Sequence, residues 1–257
     1  MKIGGIMKIS IKSILLLLVT GVLVTSCEFD NYDAPNVTFK GALLYNNVDT
    51  VYVQQSANND VNGASVYFNL FEPASGYTKW KSTPIRVVVG SDGTFSSVLF
   101  ADTYKLVMPA GNGPYMASTD TTVVKLTGNQ FLNIPVTPYY LVRNFTPTLS
   151  SSDSIVTANF KIDKIITDAN AKSIGSVFLY INRTIIVDGG NYISNATIDG
   201  GAIADPTNVV LKAKIPDLAT IGGIGISTKQ KQFFVRIGVR INGSSEVFSP
   251  VRVVTFP

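Results

Sequence analysis

The stretch Phe233-Phe234-Val235-Arg236-Ile237-Gly238-Val239-Arg240-Ile241 constrains this chain more than any other. Phe233, Val235, Ile237, Val239 and Ile241 fall on one side of a period of two, and Phe234, Arg236, Gly238 and Arg240 on the other. Such alternation predicts a strand with one dry and one wet face. No segment sustains the helical period. Strand-like runs recur at Val37-Phe39-Gly41-Leu43-Tyr45 and in residues 65–71, 85–89, 98–107, 123–126, 131–136, 154–162, 176–181, 184–187 and 209–215. Asn62-Gly63, Asp92-Gly93 and Asn242-Gly243 supply turns, since Gly takes the positive φ that a tight reversal favours. Residues 98–107 continue the strand that leaves the Asp92-Gly93 turn. Residues 167–172 and 217–219 each read as one turn of helix. Many short strands between frequent turns predict an all-β chain built as sandwiches. Pro135 and Pro138 break the pattern at residues 136–140. The expected domains are therefore 36–137 and 138–257, each of ordinary sandwich size.

Two absences narrow the chemistry. The chain has no histidine, which removes Ser-His-Asp and Cys-His catalysis and the commonest transition-metal ligand. Its one cysteine, Cys27, leaves no disulfide and no thiolate zinc cluster, so no cofactor or metal is expected. Glycoside hydrolysis needs only a carboxylate pair. The three glutamates are Glu28, Glu72 and Glu246, however, and most aspartates stand at turns, where they bond nearby amides. No Asp-x-Asp-x-Asp-Gly loop is present, and Gly222-Gly223-Ile224-Gly225 lacks the strand–helix setting of a phosphate loop. The expectation is a protein that is not an enzyme.

Lys2, Lys8 and Lys12 precede an apolar run, 14–24, that ends in Thr25-Ser26-Cys27. The run is too short for a spanning helix, which needs about 20 apolar residues. Basic residues, an apolar core and small residues before a cut site predict a secretory signal over 1–26, with Met1 and Met7 both open as initiators. Val24-Thr25-Ser26-Cys27 resembles a bacterial lipobox, which implies cleavage before Cys27 and its lipidation; a plain secretory signal with an incidental cysteine is the alternative. Removing residues 1–26 takes the formal charge from +4 to +1, so charge offers no case for nucleic acid. Residues 27–35, acidic and closed by Pro35, read as a tether. They also resemble the signal by which Bacteroidetes-type bacteria carry lipoproteins to the outer face. Asp49-Thr50-Val51, Asp120-Thr121-Thr122 and Asp153-Ser154-Ile155 resemble O-glycosylation sites of such bacteria.

Asp92-Gly93-Thr94-Phe95 followed by Leu99-Phe100-Ala101-Asp102-Thr103-Tyr104 is similar to a hairpin of prealbumin-like or carboxypeptidase-regulatory-like sandwiches. Together with Cys27, Asp30-Asn31-Tyr32-Asp33-Ala34-Pro35 and Val136-Thr137-Pro138-Tyr139, these residues resemble the DUF3823 family of Bacteroidetes surface lipoproteins. The resemblance spans essentially the whole chain after the signal. It implies a regulatory-like sandwich followed by an immunoglobulin- or fibronectin-like one, at the outer membrane and cell surface, beside SusC/SusD-type glycan importers. It brings no catalytic residues. Within that setting Tyr77 and Trp80, joined by Tyr115, are the expected glycan-stacking residues, because Trp and Tyr pair an apolar face with a polar tip. A lone Trp80 packed over an edge or into the seam is the competing reading. Two functions stay open: accessory glycan binding in polysaccharide uptake, and adhesion or complex assembly through a protein partner.

Overall fold

The computed structural model describes residues 33–54, 66–74, 79–118, 121–217 and 230–257. Cys27, Tyr77, Leu218 and Ala219 lie outside the described residues. Contacts divide the chain into Met1–Pro35 and a compact unit, Asn36–Pro257, which holds all the described strands.

Within that unit the first half contributes β1 (Val37–Tyr45), β2 (Asp49–Thr50), β3 (Tyr67–Phe71), β4 (Ile85–Val88), β5 (Thr94–Leu99), β6 (Thr103–Val107), β7 (Thr121–Lys125), β8 (Gln130–Phe131) and β9 (Ile134–Pro135). One sheet runs β2-β1-β5, with β8 and β9 parallel to β1; the other runs β4-β3-β6-β7. Their inner faces meet at Phe39 and Phe95 from the first sheet and Phe68 from the second. Phe68 lies 4.8 Å from Phe95 and 6.3 Å from Phe39, edge to face in both cases. Such pairs add about 0.5–1.5 kcal/mol each beyond area burial. At the turn before β5, Gly93 takes φ +76° and Asp92 Oδ1 accepts from Thr94 N at 3.0 Å. The expected continuous strand over 98–107 is instead two strands in different sheets. Asp102 Oδ1 accepts from Thr103 N at 2.6 Å and Tyr104 Oη donates to Phe100 O at 3.0 Å, which holds a bend where the chain crosses the sandwich.

The second half contributes β10 (Tyr140–Ser150), β11 (Ile155–Lys164), β12 (Ile174–Asn182), β13 (Ser194–Asp199), β14 (Val209–Lys214), β15 (Gln232–Ile241), β16 (Val247–Phe248) and β17 (Arg252–Thr255). Sheet β10-β11-β14 faces sheet β13-β12-β15, whose β15 also pairs with β16 and β17. The dry side of β15 is fully buried, as alternation predicts. The wet side is not uniformly wet: Arg236 is 1% exposed and Gly238 is buried, while Arg240 is exposed. Residues 184–187 are not a strand. Asn182 Nδ2 donates to Ile186 O at 2.6 Å and Asn182 Oδ1 accepts from Arg183 N at 2.8 Å, so a side-chain amide takes the backbone partners a ladder would need. Residues 167–172 form no helical turn either: Asp168 closes a tight turn by accepting from Asn170 N through Oδ1 at 2.8 Å and from Ala171 N through its carbonyl at 3.0 Å.

No strand ladder among the described residues crosses residues 136–140. The apolar core is nevertheless one cluster that takes in residues of both halves, Tyr139, Tyr140 and Leu141 among them. Polar links add direction. Arg143 forms a two-pronged ion pair with Asp49, with Nη2 2.6 Å from Oδ2, and Phe248 N donates to Tyr52 O at 3.1 Å. The strongest tie is Arg236. Its Nε donates to Ser249 O at 3.0 Å, and its Nη2 donates to Val53 O at 3.3 Å and Ser91 O at 2.6 Å. The guanidinium also lies 4.3 Å from the centre of the Phe248 ring.

Beside Arg236, the outer side of β12 and β15 carries a second, polar-aromatic cluster. Phe178 stacks on Tyr180 at 5.2 Å, and Tyr180 Oη donates to Glu246 Oε1 at 3.1 Å. Arg240 Nη2 lies 3.7 Å from the same oxygen. Burial raises the Glu246 pKa above its ordinary 4.5, against the pull of Arg240 and the Tyr180 hydroxyl. The native chain therefore holds this proton more tightly than the unfolded chain. Stability from this group falls as pH rises from about 4.5 to the higher folded value, and stays lower above it. Glu246→Gln keeps an acceptor for Tyr180 and is expected to remove that fall. Urea midpoints of both proteins between pH 4 and 7 check it: parallel curves exclude Glu246 as a source of pH dependence.

Candidate functional site

β3 places Phe68 and Leu70 in the core and turns Tyr67, Asn69 and Phe71 to the outer face of its sheet. The register sets their neighbours: Asn69 lies opposite Arg86 on β4 and Val107 on β6, and Phe71 lies opposite Lys105 on β6. Trp80 reaches this face from the segment that follows β3. Lys81 N donates to Glu72 O at 2.9 Å and Ala74 N to Lys79 O at 2.7 Å, while Lys81 Nζ pairs with Glu72 Oε2 at 2.5 Å. These bonds bring Trp80 opposite Pro73. Its side chain is half-buried, neither in the core nor in the seam.

Two cations are held against the rings. The Arg86 guanidinium lies 4.1 Å from the Tyr67 ring centre. Lys105 Nζ lies 5.1 Å from the Phe71 centre and 5.7 Å from that of Trp80. Each contact contributes about 0.5–1 kcal/mol at an exposed site and restricts the aromatic side chains to a pre-ordered surface. Between them Asn69 Oδ1 is buried and has no hydrogen-bond partner among the described residues. The face thus combines three ring surfaces, an amide and two cations. That combination suits a polyhydroxylated ligand with apolar ring faces, which stacks on the aromatics and bonds at its edges.

Tyr115 belongs to another place. It bridges Pro138 at the seam, is 5% exposed, and lines a cavity of about 570 Å³ with Tyr45, Asn46, Met108 and Met116. Its hydroxyl has no hydrogen-bond partner among the described residues, and burial raises its pKa well above that of a free tyrosine. It offers no exposed ring beside Trp80. Tyr67, Asn69, Phe71, Arg86 and Lys105 are members of this candidate face that reading the sequence did not single out. The odd positions of 67–71 signalled a shared face, but nothing local pairs them with Arg86 or Lys105. Among the described residues no group of three or more His, Cys, Asp or Glu side chains is placed to hold a metal ion.

Fold and face together define an all-β protein of paired sandwiches carrying a half-buried aromatic cluster on an outer sheet face. The family model described as "Protein of unknown function (DUF3823) N-terminal domain" matches residues 37–137, and that described as "Domain of unknown function (DUF3823_C)" matches residues 140–252. The chain belongs to the DUF3823 family. A DUF3823 family protein from Parabacteroides merdae is 28% identical with a TM-score of 0.70, and one from Bacteroides ovatus is 27% identical with a TM-score of 0.68. A Bacteroides uniformis protein described as a candidate carbohydrate binder is 16% identical with a TM-score of 0.62, a likeness of fold. Each match covers 87% of this chain and 100% of the other. Among curated proteins none matches.

Proposed function

We propose that this chain is a non-catalytic, outer-surface lipoprotein, anchored through Cys27, that binds glycan as an accessory to a SusC/SusD-type uptake system. The observation that carries the binding role is the ordered set of Tyr67, Phe71 and Trp80 held by Arg86 and Lys105 on one open sheet face. A structural relative from Bacteroides uniformis described as a candidate carbohydrate binder supports it. The lipobox-like segment before Cys27 supports the anchor.

Screening residues 28–257 on a broad glycan array tests the role. Trp80→Ala is expected to weaken binding at least about tenfold, the loss of one stacking contact near 1.4 kcal/mol. Its unfolding midpoint should stay close to that of the parent, because the ring lies outside the core. Binding that survives the substitution moves the site elsewhere. Binding to no glycan leaves adhesion or assembly with a protein partner as the role.

A further inference from the structure

We infer that the aromatic face takes an acidic glycan, a polyuronate whose carboxylates sit on different sugar units. The inference rests on the glycan reading of that face and specifies its ligand.

The outward positions of the four strands are Arg86 and Val88 on β4, Tyr67, Asn69 and Phe71 on β3, Thr103, Lys105 and Val107 on β6, and Thr121, Val123 and Lys125 on β7. They include three cations and no carboxylate, although the chain after residue 26 is nearly neutral. Four cations elsewhere in the fold have acidic partners: Lys81 with Glu72, Lys161 with Asp163, Arg143 with Asp49, and Arg240 with Glu246. Among the described residues neither Arg86 nor Lys105 has one. Two carboxylates stand at the rim: Glu72, engaged by Lys81, and Asp102, whose Oδ1 accepts from Thr103 N. The face therefore has an unbalanced positive field that an anionic ligand would meet without displacing an internal pair.

The register arranges this charge as a diagonal. Arg86 stands across from Asn69, Lys105 across from Phe71 one two-residue step on, and Lys125 across from Thr103 one further step on. Strand spacing and residue rise put the Arg86 and Lys105 backbones about 12 Å apart and those of Arg86 and Lys125 about 20 Å apart. Those spans exceed one sugar ring, so the matching acid groups belong to successive or alternate units of an oligomer. Phe71 and Trp80 flank Lys105 and would stack the ring faces between them. The choice of carboxylate follows from Arg86. Its guanidinium, held over Tyr67, keeps a planar fork of N–H donors that pairs two-to-two with a planar carboxylate.

Residues 28–257 would be titrated with polygalacturonate, alginate and hyaluronan, with fully methyl-esterified polygalacturonate as the uncharged counterpart and dextran sulfate as the sulfated one. At least one polyuronate is expected to bind. The doubly substituted Arg86→Gln/Lys105→Gln protein should bind it at least about tenfold more weakly, and added salt should weaken the parent more than the variant. Where polygalacturonate is the ligand, esterification should cost as much. Unchanged thermal unfolding of the double variant shows that the loss is not one of folding. A preference for dextran sulfate overturns the carboxylate assignment. Binding of neutral glycans alone, lost in Trp80→Ala and kept in the double variant, overturns the acidic inference and leaves the glycan reading standing. Binding to no glycan overturns both.

Discussion

Replacing Arg236 by methionine is expected to lower the unfolding free energy of the chain by about 3–5 kcal/mol, because three carbonyls lose a charge-assisted hydrogen bond at about 1–3 kcal/mol each, offset in part by relief of the buried charge. Methionine nearly matches the length and fills much of the space, so packing loss is small. What disappears is the donor to Ser249 O, Val53 O and Ser91 O, and the first of these shares a half with Arg236 while the other two do not. Three carbonyls then lose a charged partner in a place that Arg236 itself keeps almost free of water. Burial draws the guanidinium pKa down to about 10, with Asp188, Asp92 and Glu246 acting against that, so the group still carries its charge at neutral pH. For a unit of this size the loss corresponds to a melting temperature about 6–20 °C lower. Arg240→Met is the control, since that side chain is 55% exposed and its pair with Glu246 is long. It should cost less than about 1 kcal/mol. Thermal and urea unfolding of the two variants decide the matter: equal losses would mean that Arg236 adds no more to the join than an exposed arginine does. A second outcome distinguishes the clamp from a local prop. If Arg236 couples the halves, its loss should also split one cooperative transition into two, because the carbonyls of Val53 and Ser91 are then released from β15.

Gly41→Ala should prevent folding or cost more than about 4 kcal/mol, a size that single substitutions reach only through a severe clash. Gly41 sits in β1 opposite Phe95, and β8 and β9 run parallel to β1 on its other side. The link between β8 and β9 passes directly over it. Leu132 N donates to Lys40 O at 2.8 Å, and a Cβ on Gly41 would land on the Leu132 carbonyl oxygen and against the Phe95 ring. Backbone cannot swing aside there without breaking the bonds that hold β8 and β9. Gly128→Ala is the comparison, because a Cβ there meets nothing within 4 Å and the change should be nearly silent. Soluble yield and circular dichroism of the two variants check the expectation; a folded Gly41→Ala protein of parental stability would mean that the Leu132 crossing is readily displaced.

These two residues show where sequence patterns stop. Alternation placed Gly41 on the apolar face of β1 and Arg236 on the outer side of β15, and both placements hold. The pattern says nothing about what lies beyond that face. For Arg236 the answer is carbonyls 183 and 145 positions away, which convert an expected wet position into one of the most buried in the chain. For Gly41 it is a backbone crossing. Tyr115 fails in the same way: the turn residues before it, Gly111-Asn112-Gly113-Pro114, suggest an exposed loop, yet its neighbours from Pro138 and Tyr45 enclose it. For Trp80 the sequence left open a surface ring and one packed over an edge or into the seam; it lies half-buried opposite Pro73, and its companions Phe71 and Lys105 came into view only through the register of β3 with β6.

The sequence by itself determined the all-β class, most of the strands, the turn at Asp92-Gly93 and the family, because period-two alternation, Gly and Pro chemistry and short motifs are properties of neighbouring residues. The tertiary structure alone decided which faces are covered, which cations are buried or left unpaired, and which aromatics share a surface. Those depend on strand order and register, which are set when segments far apart in the chain find a common core, and no local period encodes them.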